Sequence, residues 1–269
     1  MVEIIKSIKR KIIDSEKSHQ KRVEKAKIIN PCGKYTDWLS EFHDQIKPER
    51  YLEIGVASGK TLGLVGHDTW SVGVDPAPSV KYSISAPTRL FKQTSDEFFG
   101  RGDVSAFLGS GFELAFIDGL HEYKKAYRDI VNALGWCKAG GVILVHDVIP
   151  VDEASSQADE ELRFWSGDVF RALAFIHETM PQLWVGVIPT YPTGLGVIAW
   201  RGHLRGEISD ASFLSDELDQ YEKLTIGEYR EEILPAIHEI TDDGVGIQKS
   251  VENLLSVISQ STTDPRDMG

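Results

Sequence analysis

Short, nearly unbroken apolar runs recur along the chain, each separated from the next by a longer stretch of polar character or helical period. Tyr51–Gly55, Ser71–Asp75, Leu114–Asp118 and Val142–Asp147 are such runs, and Arg89–Lys92 is a weaker one. Runs this short and this apolar predict strands buried on both faces, the pattern of a parallel sheet covered by helices. The intervening period is helical. Tyr127, Ile130, Val131 and Leu134 share one face of a helix predicted over Lys124–Cys137, and Ala139-Gly140-Gly141 stops it. Ser95 is expected to cap a helix running through Phe98 and Phe99, and Ser166–Met180 predicts another. Leu183–Ile188 and Gly194–Trp200, joined through Pro189-Thr-Tyr-Pro-Thr193, predict a closing antiparallel pair.

The expected fold is α/β: a Rossmann-like sheet of seven strands, mostly parallel with an antiparallel last strand, and helical extensions at both ends. Residues 1–46 are expected as an N-terminal helical extension, 47–202 as the core, and 203–269 as an acidic helical C-terminal extension. Val151–Glu161 is polar, acidic and poor in core residues, which predicts a mobile loop. Ligands in such folds bind at the carboxyl ends of the strands. Asp75, Asp118, His146 and Asp147 all fall there.

The first strand runs into Glu53-Ile-Gly55-Val-Ala-Ser-Gly59, and Asp75 closes the second strand about 20 residues after Gly55. Glycines let the backbone turn sharply against a ligand, and a carboxylate at the next strand end can accept from both hydroxyls of a ribose. A dinucleotide fingerprint would read G-x-G-x-x-G with a helix N-terminus facing a pyrophosphate, but Ala57 stands where its middle glycine belongs. The alternative is an ordinary strand-turn-helix.

Composition narrows the partners. With 269 residues, 41% of them hydrophobic, the chain can bury one substantial core. A formal net charge of -12 disfavours nucleic acid, because phosphate binding needs a concentrated cationic face. The two cysteines, Cys32 and Cys137, support neither a disulfide framework nor a thiolate zinc site, and a reducing cytoplasm is the expected setting. No signal peptide or transmembrane run is recognisable. Ile4, Ile5, Ile8, Ile12 and Ile13 oppose a crowd of lysines, predicting a basic amphipathic helix that packs on the domain or on a second subunit in preference to an anionic membrane surface. Glu207–Asp243 is mostly acidic, and within it the apolar positions of Asp216–Ile237 predict a packing or homodimerisation helix pair.

Asp118-Gly-Leu-His121 places a carboxylate and an imidazole three residues apart across a glycine turn, and His146-Asp147 ends the neighbouring strand. Carboxylates crowded at a sheet edge repel one another and are most readily tolerated around a cation. A hard ion such as Mg²⁺ would suit Asp118 and Asp147, leaving His121 to take a proton from a hydroxyl. Asp118 could instead cap the following helix, and His121 could be a loop residue. Asp129, His177 and His203 suggest only surface or loop roles, and Trp165 and Tyr191 could stack on a sugar or sit in the core.

In order, Glu-x-Gly-x-x-x-Gly, Asp75, Phe-Ile-Asp-Gly-x-His-x-Tyr, Ala-Gly-Gly and His-Asp-Val-x-Pro resemble a bacterial family of class I S-adenosylmethionine (SAM) dependent methyltransferases. That family is related to metal-dependent sugar and macrocin O-methyltransferases and to cephalosporin hydroxylase-like proteins. The resemblance spans Tyr51–Trp200 and implies SAM as cofactor, a divalent metal such as Mg²⁺, and a small-molecule hydroxyl acceptor: a sugar, glycoside or polyol. It implies cofactor contacts at Glu53, Gly55, Gly59, Asp75 and Asp118, an adenine edge at Ser95 or Asp96, metal ligands Asp118, His146 and Asp147, and His121 as general base. His146 departs from the family, whose residue at this position is commonly acidic; imidazole suits zinc, iron or nickel better than magnesium, and metal independence stays open. The rival readings are an NAD-dependent oxidoreductase, disfavoured by the glycine spacing, and a non-catalytic binding scaffold.

Overall fold

The computed structural model describes residues 2–157, 164–200, 216–242 and 244–260, with residues 2–15 and 216 as helical backbone only. The basic and apolar faces expected over Ile4–Ile13, His203 and the acidic residues 207–215 lie outside what is described.

Two helices, α1 (Val2–Ile29) and α2 (Tyr35–Ile46), lead into β1 (Arg50–Ile54), β2 (Trp70–Val74), β3 (Thr88–Phe91), α3 (Ser95–Phe99), α4 (Ser105–Leu108), β4 (Phe112–Ile117), α5 (Tyr123–Leu134) and β5 (Cys137–His146). The second half adds α6 (Phe170–Thr179), β6 (Leu183–Ile188), β7 (Leu195–Trp200), α7 (Asp216–Tyr221), α8 (Ile226–Glu228), β8 (His238–Glu239) and α9 (Ile247–Gln260). The sheet order is β3-β2-β1-β4-β5-β7-β6-β8, parallel except that β7 runs against both β5 and β6. This is the expected Rossmann-like sheet, lengthened by the two-residue β8, which pairs in parallel with β6. Among the described residues, no helix is long and apolar enough to cross a membrane.

Alternation along the strands sorts their side chains onto two faces. Leu52, Ile54, Ala115, Ile117, Ile143 and Val145 point to the side covered by α5 and α6. Tyr51, Leu114, Phe116, Val142 and Leu144 meet Trp38, Leu39 and Phe42 of α2 together with Val251, Leu254 and Ile258 of α9. The two terminal extensions thus join into one layer on a single face.

Register sets the site. Ile54 is level with Ile117, Ile117 with Val145, and Ile54 with Val74. The next residue on each strand is therefore Gly55, Asp118, His146 or Asp75, so a glycine, two carboxylates and an imidazole leave the sheet at one level.

Four local expectations need correction. The cap of α3 is Thr94, not Ser95: its hydroxyl accepts from the Glu97 N–H while the Glu97 carboxylate accepts from the Thr94 N–H, and Ser95 is the first helical residue. Ala139-Gly140-Gly141 does not separate helix from strand: β5 starts at Cys137 and absorbs the glycines in a register shift against Phe112 and Leu114, with Gly140 at φ 76°. Helix α6 begins at Phe170, because Ser166–Asp168 are used to clamp a neighbouring turn. Residues 151–157 are tied down, not loose: Asp152 and Ser155 exchange hydrogen bonds, and Arg22 of α1 pairs with Asp152 at 2.9 Å.

Candidate active site

At the carboxyl ends of β1, β2, β4 and β5 lies a cavity of about 640 Å³ lined by Gly55, Ala57, Asp75, Ser95, Asp96, Asp118, His121, Asp129, His146, Asp147 and Trp165, among others. Its first wall is the glycine turn. Gly55 has φ 87°, and a Cβ built on it would lie 1.9 Å from the Asp118 carbonyl oxygen, so only glycine lets β1 leave the sheet against β4. Asp75 fixes the turn from β2. Its Oδ2 accepts from the backbone N–H groups of Val56 (3.0 Å) and Ala57 (2.7 Å), and its Oδ1 accepts from Ala77 (2.7 Å). A carboxylate has about four lone-pair positions, so some accepting capacity is left toward the cavity.

Glu53 and Gly59 are not among the cavity-lining residues. Glu53 shares the face of Tyr51, is fully buried, and accepts from the Tyr51 hydroxyl (2.7 Å) and from Thr61 (2.9 Å). Burial pushes its pKa up to about 8, against the pull of those two donors. It splints strand to turn instead of facing a ligand. Gly59 closes the turn, donating to the Val56 carbonyl at 2.8 Å. Ser95 and Asp96 do line the cavity, but Asp96 is engaged by Lys125 (3.0 Å) and Arg128 (3.1 Å).

The second wall is a cluster of two carboxylates and two imidazoles. His121 Nε2 lies 3.1 Å from Asp118 Oδ1, in hydrogen-bond geometry, and its Nδ1 lies 3.2 Å from Asp147 Oδ2. His146 Nδ1 lies 3.1 Å from Asp147 Oδ2 and 3.4 Å from Asp118 Oδ1. The distances are those of ion pairs, yet His121 Nδ1 and both nitrogens of the buried His146 lack a partner in hydrogen-bond geometry. Three donors, Asp118, His121 and Asp147, bring one ligand atom each within 4.8 Å of one another.

Electrostatics here are a balance. Burial would raise the pKa of Asp118, but His146 and His121 hold it well below the usual carboxylate range. Burial would lower both imidazoles, but the carboxylates win: Asp147 and Asp118 raise His121 and lift His146 to about 10. Carboxylates and imidazoles here favour one another's charged forms, a role a cation could take over.

Further residues support the cluster. Thr193, from the turn between β6 and β7, donates its hydroxyl to Asp147 Oδ1. Asp147 itself has φ 65°, an uncommon backbone conformation outside glycine that a packed site must enforce. Asp168 accepts from the Tyr123 N–H (2.6 Å) and from Arg171, fixing the start of α5 and hence the turn that carries His121. Trp165 stacks on His121 with ring centroids 4.8 Å apart, so it belongs to the cavity wall, whereas Tyr191 packs against a small cluster of Ala26, Val151 and Phe164. Asp129, expected on a helix surface, is buried and faces the same cavity.

No curated protein matches the chain. Among solved structures, similarity is found to the S-adenosylhomocysteine-bound methyltransferase PaMTH1 of Podospora anserina, with 21% identity, 62% of this chain and 77% of that chain covered, and a TM-score of 0.47. An O-methyltransferase of Bacillus cereus in complex with S-adenosylhomocysteine gives 12%, 61%, 80% and 0.46 for the same quantities. TomG of Streptomyces achromogenes, an O-methyltransferase of tomaymycin synthesis in complex with SAM, gives 15%, 62%, 80% and 0.43. At TM-scores below 0.5 these likenesses carry no weight for function. A family model described as a methyltransferase domain matches residues 52–148. That span holds the Gly55 turn, Asp75, Asp118, His121, His146 and Asp147, in the strand order and register given above.

Proposed function

We propose that the protein is an O-methyltransferase, assisted by a divalent cation, that methylates a hydroxyl of a sugar or other polyol-bearing small molecule. The observation that carries this reading is the convergence, in one cavity, of the Asp75-braced glycine turn with Asp118, His121, His146 and Asp147. The donor set fits a cation, since Asp118, His121 and Asp147 bring one ligand atom each within 4.8 Å of one another and the buried His146 lies beside both carboxylates. When bound, SAM supplies an electrophilic methyl group, and Mg²⁺ or another divalent metal supplies Lewis-acid polarisation of the acceptor hydroxyl.

The chain's own residues would do the rest. Asp75 binds ribose hydroxyls with the accepting capacity its three backbone donors leave. The Gly55 turn lies against the amino-acid end of the cofactor, and Ser95 and Asp96 line the adenine end. Asp118, Asp147 and His146 hold the cation. His121 accepts the hydroxyl proton at Nδ1, the nitrogen without a hydrogen-bond partner, while Asp118 orients the ring through Nε2. Trp165, stacked on that ring, offers an apolar face to a sugar. Rate enhancement rests on holding donor and acceptor in line. A second reading, in which His121 is the third metal ligand in place of His146, is favoured by the close grouping of its nitrogen with Asp118 and Asp147.

Calorimetric titration with S-adenosylhomocysteine, together with methyl transfer to a panel of sugars and polyols, tests the assignment. His121→Gln should cut turnover by about 10² to 10⁴-fold with unchanged bound metal and cofactor affinity. Loss of metal from that variant would make His121 a ligand instead. Wild-type protein that binds no S-adenosylhomocysteine overturns the reading, and undiminished turnover in chelator removes the metal from it.

A further inference from the structure

His146 is buried beside two carboxylates, yet neither of its nitrogens has a partner in hydrogen-bond geometry, so hydrogen bonds do not fix its ring. Aromatic packing surrounds it instead. Tyr35, the first residue of α2, sets its ring 4.3 Å from that of His146, centroid to centroid, at 48°. Phe116, on the neighbouring strand β4, meets the same imidazole at 6.2 Å and 63°, and stacks on Tyr35 at 6.0 Å and 15°. Three rings thus pack together at the strand ends, and the imidazole is the member beside Asp118 and Asp147.

The backbone pins Tyr35 in place. Its N–H donates to the Tyr191 carbonyl (3.2 Å), the Tyr191 N–H to the Gly33 carbonyl (2.7 Å), and the Cys32 N–H to the Pro189 carbonyl (2.9 Å). The same turn supplies Thr193 to Asp147. Lys60, next after Gly59, brings its ammonium 5.5 Å from the centre of the Tyr35 ring, within reach of a cation–π contact. Tyr35 comes from the N-terminal extension, outside the span 52–148 matched by the family model, yet it touches both walls of the site. Burial, followed by the charges of Asp118 and Asp147, holds its phenol well above the ordinary tyrosine pKa, so it stays protonated and does not serve as a base.

We propose that Tyr35 is a positioning residue for the reaction, its ring fixing the His146 imidazole so that Nδ1 stays directed at Asp118 and Asp147. The effect on turnover rests on the methyltransferase reading; the effect on the imidazole does not. Without the Tyr35 ring a cavity would open beside His146, and an imidazole with no hydrogen bond to hold it would sample other rotamers. A misplacement of about 1 Å at a reacting centre can cost about 10²-fold in rate.

The experiment compares wild type, Tyr35→Phe and Tyr35→Leu as full-length proteins. The contacts that place Tyr35 against His146, Phe116 and Lys60 are made by its ring, so Tyr35→Phe should keep wild-type turnover. Tyr35→Leu should lose about 10- to 100-fold, with affinity for S-adenosylhomocysteine unchanged by calorimetry. NMR relaxation of histidine ring C–H groups in the ligand-free protein supplies the readout that separates positioning from general loosening. The His146 ring should be rigid in wild type and Tyr35→Phe and mobile in Tyr35→Leu, while His43, farther along α2, stays rigid in all three. Mobility gained equally by His43 would mean a merely structural role and overturns the proposal. So does a rigid His146 in Tyr35→Leu, or a Tyr35→Phe enzyme as slow as Tyr35→Leu. If Tyr35→Leu does not fold, Tyr35→Phe turnover still decides, together with a nuclear Overhauser contact between the Tyr35 and His146 rings in wild type, whose absence overturns the proposal. Wild type that binds no S-adenosylhomocysteine sinks the methyltransferase reading instead, and the relaxation measurement, which needs neither cofactor nor acceptor, then decides the positioning alone.

Discussion

The two walls of the cavity are built on opposite terms. On the β1–β2 side the groups named above already have partners: Asp75 accepts three backbone N–H groups, Glu53 accepts two hydroxyls, and Gly55 is packed against the Asp118 carbonyl. On the β4–β5 side, two carboxylates and two imidazoles crowd together with three ring nitrogens outside hydrogen-bond geometry. The first wall is a finished mould for a ligand. The second is an incomplete charge arrangement, held in an uncommon backbone conformation at Asp147, and incompleteness of that kind marks sites that bind ions or move protons.

If this contrast is right, damage to the second wall should cost turnover and spare binding. Asp118→Asn and Asp147→Asn keep shape and remove charge, so each should lower the rate by roughly 10³-fold, on the order of several kcal/mol, with affinity for S-adenosylhomocysteine almost unchanged. EDTA should mimic them. Steady-state kinetics beside calorimetry checks this; equal losses in both quantities would erase the distinction between the walls.

Damage to the first wall should do the reverse, and by less. Asp75→Ala removes the ligand-facing carboxylate and also the acceptor of the Val56 and Ala57 N–H groups, so cofactor affinity should fall at least about tenfold. The loop consequence is separable: hydrogen exchange at residues 55–59 should quicken in the ligand-free variant. Unchanged exchange would mean that Asp75 serves the ligand alone.

The smallest effect concerns stability. Glu53 has its pKa raised from 4.5 to about 8 in the folded protein, so its contribution is fully present below about pH 4.5 and is lost as pH rises toward 8. Replacement by Gln fixes the uncharged form. The stability of Glu53→Gln relative to wild type should therefore grow between about pH 5 and 8, by at most roughly 1.4 kcal/mol per pH unit. Denaturant titrations across that range decide it, and parallel curves would show that the buried carboxyl is not neutral.

The fold was legible wherever a single segment carried its own signal. Unbroken apolar runs marked the strands, and acids after them marked the sheet edge, which is how Asp75, Asp118, His146 and Asp147 could be picked out. Glu53 could have been placed correctly too, because alternation puts it on the face of Tyr51, opposite Ile54. What stayed hidden depends on distant segments meeting: Thr193 on Asp147, Asp168 on Tyr123, and the two-residue β8 against β6. Asp129 escaped for a different reason. A carboxylate on a helix reads as solvated, and only Ser95 and the Gly119 backbone, brought over it by the sheet, make it a buried one.

The shared layer of α2 and α9 changes what a boundary means in this molecule. The two helices lie more than two hundred residues apart in sequence yet cover the same patch of Tyr51, Phe116 and Leu144. Each segment that looks like an appendage on paper is half of a lid on the sheet's inner surface. Cutting out the nucleotide-binding unit by its sequence limits would leave a strand layer wet on one side, inviting association with any other apolar surface. Grafting or trimming this unit therefore has to respect a closure in space: the two ends travel together, and the sheet is covered on both faces only in their company.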